Sequence, residues 1–335
     1  MTPPMKISLR QIGGFCGVIV GLMSGLQARA EEPGADETTP TAPAEPAAAQ
    51  SRGEVTTPTG RAPSWKITGN SYFYDFNGTR PANDNLYSFG KSDLFLQLLS
   101  LEHQIGDWTL MVVGQYLNNF VETNLMGMTF KDTTRGIGDT TLMAVRPLLA
   151  SGPLMMLGDV GVSLPTGSIN QVNANNPSLH YAYNMQLGSG TVDGSVGLTA
   201  LLNTSPVNLG TRISTTVRTG QNANGYRLGN LHKLDGWAEI PVTRSLTPRL
   251  SGYYKFKNAI QGQDYTLARS ALTEFYYSPQ VDWNVSAALR FQQPLVGTTA
   301  LSAEAGLPLI QGMRNVDNVV VSTNYYASLS LTGGF

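Results

Sequence analysis

From Trp65 to the C-terminus, apolar and polar residues alternate with a period of two over segments of roughly ten residues. That spacing belongs to strands showing one face to lipid and the other to water. At the C-terminus Val321, Thr323, Tyr325, Ala327, Leu329, Leu331, Gly333 and Phe335 share a face, opposite Ser322, Asn324, Tyr326, Ser328, Ser330 and Thr332. Upstream, Leu301, Ala303, Ala305, Leu307 and Leu309 oppose Ser302 and Glu304, and Val285, Ala287, Leu289 and Phe291 oppose Ser286, Arg290 and Gln292. Leu250, Gly252, Tyr254 and Phe256 oppose Arg249, Ser251, Lys255 and Lys257, while Leu234, Gly236, Ala238 and Ile240 oppose Lys233, Asp235 and Glu239. The same holds for Ile213, Thr215 and Val217 against Arg212, Ser214 and Arg218, and for Val192, Val196, Leu198 and Ala200 against Asp193, Ser195 and Thr199. Over 136–149 the phase is open, with either Met143 and Val145 or Leu142 and Ala144 facing lipid.

The pattern predicts strands over 65–76, 87–104, 108–121, 136–149, 154–165, 183–203, 208–220, 230–243, 247–258, 282–296, 299–311 and 319–335. Turns between them alternate short and long, the long ones at 77–86, 122–135, 166–182, 221–229, 259–281 and 312–318. The fold class is therefore all-β: a transmembrane antiparallel up-and-down β-barrel of about twelve strands, with short periplasmic turns and longer external loops. An even strand count returns both ends of the chain to the periplasm. A soluble sandwich also alternates. Trp65, Trp108, Trp237, Trp283 and the pairs Tyr253-Tyr254, Tyr276-Tyr277 and Tyr325-Tyr326 fall near predicted strand ends, where a membrane barrel carries aromatic girdles.

The N-terminus changes the picture of compartment. Lys6 and Arg10 precede an apolar run from Ile12 to Leu26, and Ala28-Arg29-Ala30 is a small-x-small cleavage site. Residues 1–30 read as a secretory signal peptide cleaved after Ala30, which places the protein in the outer membrane of a Gram-negative bacterium. Cys16, the one cysteine, leaves with it, so the mature chain holds no thiol for a disulfide, metal or nucleophile. Residues 31–62 are rich in Pro, Ala, Thr and Glu, which predicts a disordered acidic periplasmic tail. Residues 63–335 form the barrel. The tail carries the mature chain's whole acidic excess, six acidic residues against Arg52 and Arg61, and the barrel balances at 17 against 17. No basic stripe exists for nucleic acid.

The alternation sends a set of charges inward as candidate pore-lining residues. Asp93, Asp139, Asp159 and Asp193 come from the first half of the barrel. Arg212, Arg218, Lys233, Arg249, Lys255, Lys257 and Arg290 come from the second, with Asp235, Glu239 and Glu304 among them. Acidic and basic walls facing across a pore would give a transverse field; charges that instead pair and fill a small barrel would plug it. A turn centred near Ser245 sets Asp235 opposite Lys255.

Catalysis and metal binding find little support. His103, His180 and His232 are the three histidines, and only His180, two residues after Ser178, suggests a hydrolase. No partner for a triad is visible, so no enzyme is expected. Met126 and Met128 in an external loop are candidate Cu(I) ligands, since thioethers suit that ion; apolar filler is the plainer reading. No cofactor is expected.

Several strings occur in consistent order: Gly136-Ile137-Gly138-Asp139-Thr140, Leu164-Pro165-Thr166-Gly167-Ser168, Gln186-Leu187-Gly188-Ser189-Gly190-Thr191, Gly225-Tyr226-Arg227-Leu228-Gly229 and Gly306-Leu307-Pro308-Leu309. Together they resemble the bacterial outer-membrane family named after a meta-pathway of phenol degradation. The resemblance implies a transporter and supplies no catalytic residue. The glycines themselves suit barrel rims, where bulges form. Terminal Phe335 is similar to the signal read by the barrel-assembly machinery. The expectation is a monomeric barrel in contact with outer-membrane lipid, passing small solutes, aromatic or otherwise hydrophobic. The alternative is an occluded barrel whose loops bind a ligand, copper included, or serve the envelope structurally.

Overall fold

The structure, a computed structural model, describes residues 65–78, 87–125, 128–173, 176–267, 279–315 and 321–335. The signal peptide and acidic tail lie outside them, as do Met126 and the pair Tyr276-Tyr277.

Twelve strands, counted among the described residues, form one closed antiparallel sheet. They are β1 Trp65–Gly78, β2 Tyr87–Ile105, β3 Trp108–Leu125, β4 in two segments Met128–Ile137 and Thr140–Ser151, β5 Leu154–Leu164 and β6 Asp193–Asn203. The second half is β7 Asn208–Arg218, β8 Leu231–Glu239, β9 Leu246–Lys257, β10 Gln280–Pro294, β11 Ala300–Asn315 and β12 Val321–Gly334. Each pairs with its sequence neighbour, and β1 pairs with β12 to close the circle. The seam ends where Trp65 and Phe335 exchange backbone hydrogen bonds of 3.1 and 3.0 Å. Closure leaves no edge to pair with another chain, the condition a sheet must meet in lipid.

The alternation places large apolar side chains outside. Leu99, Leu110, Val112, Val160, Val196, Ile213, Leu250, Leu289, Leu307, Leu329 and Leu331 are all exposed. Leu142 pairs with exposed Val112 and Val162 and is itself exposed, so Leu142 and Ala144 take the outer face and Met143 the inner one. At the short-turn end Trp65 stacks on His103 at 4.0 Å, and Arg146 lies 5.4 Å from the Trp108 ring. At the loop end, outward Trp283 covers Gly312 beside Tyr254. Trp237 departs from the expected girdle. It points inward over Gly210, where a Cβ would meet the indole at 2.1 Å, because Gly210 leaves the room.

Strand boundaries differ from those expected chiefly around the β3–β4 hairpin and before β6. β3 and the first segment of β4 run on as a hairpin through most of the stretch expected to be the loop 122–135. β4 then breaks at Gly138-Asp139, and its second segment pairs with β5. The segment 183–192, expected as the start of β6, is not a barrel strand: it opens with a 3-10 turn at Tyr183–Met185, and β6 begins at Asp193. β5 ends at Leu164, so the first segment of β4 has β3 alone as its partner. The long connection from β5 to β6 folds back against the inner side of this stretch, with Leu187 against Gly136 and the Tyr181 hydroxyl donating to Asp132 at 3.0 Å.

The β8–β9 register also differs. Glu239 pairs with Arg249, so the turn centres on Arg244, and Asp235 faces Tyr253 instead of Lys255. The reason is local: Val242 closes the turn on Leu246 through a 3.0 Å backbone bond, one residue earlier than a turn around Ser245 would.

Candidate functional site

The barrel interior has two unlike walls. On β2, Ser92, Leu94, Leu96, Leu98 and Ser100 are buried while Leu99 and Leu101 face out, so this strand is apolar on both faces. Leu94, Leu96 and Leu98 join Phe76 of β1, Leu117 of β3 and Leu187 of the β5–β6 connection in one cluster, with Tyr72, Tyr74 and Val113 packed against it. Aromatic rings continue it. Tyr74 lies 6.5 Å from Tyr72, 6.0 Å from Phe76 and 6.2 Å from Tyr326. The inner side of β1 to β3 is therefore an apolar, ring-lined strip, contacted at its loop end by Leu187.

The opposite wall is charged, and its charges pair with near neighbours. Arg212 grips Asp159 through two bonds of 2.6 and 2.8 Å. Bare Gly197 permits this, since a Cβ there would lie 2.5 Å from both partners. Arg218 meets Asp193 at 2.6 Å, Lys233 meets Asp235 at 2.7 Å, and Lys255 meets Asp282 at 2.7 Å. Arg249 and Arg290 share Glu239 at 2.6 and 3.1 Å, and Arg290 also holds Glu304 at 2.9 Å. Lys257 stands on the same inward face of β9.

Of the two arrangements left open, opposed walls or paired charges, these contacts have the form of the second. Acidic and basic residues meet within the wall because neighbouring strands bring opposite charges within reach, so neither sign accumulates. Asp159, Asp193, Asp235, Arg249, Lys255 and Asp282 are all buried. Asp93 is not on the inner face at all. It shares the outer face with Asp75, and Lys91 reaches both at 3.2 and 3.4 Å.

Asp139 is inward but faces a folded loop instead of a pore. It sits at the β4 break, where the chain inserts an extra residue and turns the carboxylate toward the β5–β6 connection. The carboxylate accepts from the Gly167 N–H at 3.0 Å, the Ser189 N–H at 2.7 Å and the Ser189 hydroxyl at 2.8 Å. Asn222 of the β7–β8 connection donates to the Ser189 carbonyl at 3.0 Å. Thr191 donates to Asp193 at 2.7 Å, linking this node to the charged wall. Gly190 adopts φ +70°, and a Cβ there would meet Asn222 at 2.7 Å. Four of the glycine-bearing strings thus converge: Gly136 to Thr140, Leu164 to Ser168, Gln186 to Thr191, and Gly225 to Gly229, whose Tyr226 contacts Tyr183 edge-on at 4.6 Å. Burial pushes the Tyr226 phenol up from its ordinary value. The assembly forms a hatch over the loop end of the interior, and Leu187 touches the apolar strip.

Sequence reasoning missed three parts of this site. Asp282 went unmarked and Tyr253 was placed in the aromatic girdle, whereas Tyr253 pairs with inward Asp235 and its hydroxyl donates to both Asp282 oxygens at 3.2 and 3.3 Å. The apolar strip was missed because two-faced hydrophobicity on β2 gives no alternation to read. His180 does have an acidic partner: its Nδ1 lies 2.8 Å from Asp264 and 2.7 Å from the Thr266 hydroxyl. Among the described residues no serine bonds to this pair, so the contact ties two loops together. Met128 is exposed at the β3–β4 hairpin, and no cluster of three His, Cys, Asp or Glu residues suited to a metal occurs among the described residues. His232 faces outward against Phe256 at the loop-end rim.

Residues 116–293 match the model of the family described as "Putative MetA-pathway of phenol degradation". The chain belongs to this family. The family match contains the whole hatch node, from Asp139 through Gly167 and Ser189 to Asn222, and the charged wall from Asp159 to Arg290. Most of the apolar strip, on β1 and β2, precedes it. Among solved structures, an outer membrane channel from Pseudomonas putida F1 is similar at 15% identity, covering 80% of this chain and 95% of that one with a TM-score of 0.52. A FadL homologue of Pseudomonas aeruginosa matches at 12% identity over 81% and 90% of the two chains, with a TM-score of 0.40. No curated protein matches the sequence. At 15% identity the likeness to the Pseudomonas putida channel shows the fold, that of an outer-membrane β-barrel.

Proposed function

We propose that this barrel is a passive outer-membrane channel for small apolar molecules, aromatic ones included. The route enters beneath the hatch and follows the ring-lined strip of β1 to β3. The observation that carries this reading is the strip itself: Leu94, Leu96 and Leu98 spend apolar surface on the barrel's inside, where a water-filled pore has no use for it. Family membership supports a role alongside aromatic breakdown, and the similar channel from Pseudomonas putida supports transport. Paired, buried charges on the other wall argue against a wide aqueous pore and for a resting state closed by the hatch.

The short turns then lie in the periplasm and the hatch outside, with the exposed Phe335 at the periplasmic end of β12 serving the assembly machinery. The test is uptake by intact cells that express the barrel or lack it. An apolar fluorescent naphthylamine should enter several-fold faster with the barrel present, and a sugar of similar size should not. Equal acceleration of both solutes would indicate an ordinary diffusion pore; acceleration of neither would reject transport.

A further inference from the structure

The charged wall contains one guanidinium edge without a partner. Arg249 is 3% exposed, and its Nη1 donates to Glu239 at 2.6 Å. Its Nε and Nη2 are buried and bond to nothing among the described residues. Those two N–H groups lie on one side of the guanidinium and project in parallel, the fork that matches the two oxygens of a carboxylate. Buried donors are almost always satisfied, so an unused fork asks for an explanation.

Its surroundings supply one. Ladder pairing sets Tyr74, Tyr326, Gly306, Ala288, Arg249 and Glu239 in a single row across β1, β12, β11, β10, β9 and β8. The Tyr326 ring lies flat over Gly306, where a Cβ would meet it at 2.4 Å. On the floor between this ring and the guanidinium Ala288 presents only a methyl group, and the Glu304 carboxylate, which accepts from the Tyr326 hydroxyl at 3.1 Å and lies 4.0 Å from Arg249 Nη1, stands beside the gap. Neighbouring strands are about 4.8 Å apart, so the floor from Gly306 to Arg249 spans about 10 Å. That length matches one aromatic ring and its carboxylate once the Tyr326 ring swings off Gly306. The Trp237 ring, 5.6 Å from the guanidinium carbon, flanks the charged end.

We propose that this row is a luminal subsite for a small aromatic monocarboxylate, its ring on the Gly306–Ala288 floor and its carboxylate on the Nε/Nη2 fork of Arg249. The subsite lies at the far end of the ring-lined strip, since Tyr74 and Tyr326 belong to both. It deepens the transport reading by naming a class of cargo: molecules apolar enough for the strip that end in an acid. The fork is closed off from water, so the ligand displaces side chains that roof the row, Tyr326 first.

Binding tests this independently of transport. Calorimetry on the purified, folded barrel compares benzoate with benzyl alcohol, which keeps the ring and loses the charge. Benzoate should bind at least tenfold more tightly. Arg249→Met should remove that preference, and Arg249→Lys, a point charge without the fork, should retain only part of it. Ala288→Leu fills the floor without touching the guanidinium and should also abolish benzoate binding, which decides the matter if Arg249→Met fails to fold. Equal affinity for the two probes in the native barrel, or an undiminished preference in Arg249→Met or Ala288→Leu, would overturn the subsite. Apolar uptake by cells would stand untouched by that result, so the two readings fail separately.

Discussion

Glycine decides where the interior can hold a charge or a ring. Gly197 makes room for the Asp159–Arg212 pair, Gly210 for Trp237, and Gly306 for Tyr326. A buried ion pair is costly unless its geometry is good, and breaking one leaves an uncompensated charge. Gly197→Ala should therefore destabilise the barrel by about 1–3 kcal/mol, the usual range for overpacking. Gly194→Ala, in the same strand with nothing within 4 Å, should leave it nearly unchanged. Unfolding in denaturant, followed by loss of the heat-modifiable band on gels, measures both. These positions were not legible beforehand. The alternation gives a glycine its face but not its neighbour, and the neighbour depends on register, which was two residues out across β8 and β9 because the turn centre lies one residue earlier. Asp93 shows the other failing: a charge was assigned inward by type, whereas the rim allows charges outward as well.

Strands were readable where one face was apolar and the other polar, as in β10, β11 and β12. Their order, number and short turns follow from that alternation alone. The same rule produced the error at 183–192. There Tyr181, Tyr183, Met185, Leu187, Ser189 and Thr191 are buried and their alternate neighbours are less so. An extended hatch packed against a wall has the periodicity of a strand, and no local signal separates the two. The hatch should respond to acid through the contact that ties its outer part to the β9–β10 connection. Burial opposes ionisation of Asp264, but hydrogen bonds from Thr266 and His180 outweigh it and hold the carboxyl below its ordinary value. A depressed carboxyl stabilises the fold above the ordinary carboxylate range, and that contribution is lost as pH falls through the lowered value. Pepsin, active in that range, should cut near Tyr265 sharply faster as pH drops through this window. In Asp264→Asn the cleavage should be fast already at the upper edge of the window and lose the step.

At the scale of the whole molecule, a closed sheet with an apolar outside settles how the chain meets lipid, and the two-walled inside frames the proposed route. A small barrel of this size fills with side chains. Here one half of the filling is paired charge and the other is apolar packing that Leu187 of the hatch joins. The account stands or falls on the hatch covering the route, with Asp139 as its anchor. Asp139→Cys with Ser189→Cys replaces the anchoring hydrogen bond by a bond that can be made or broken at will. Cys16 is the one native cysteine and lies in the segment expected to be removed. Uptake of the apolar naphthylamine should be several-fold faster in the reduced double variant than in the native barrel, and should fall to or below the native rate on oxidation. Identical uptake in the oxidised and reduced states, with the cross-link confirmed, would contradict it.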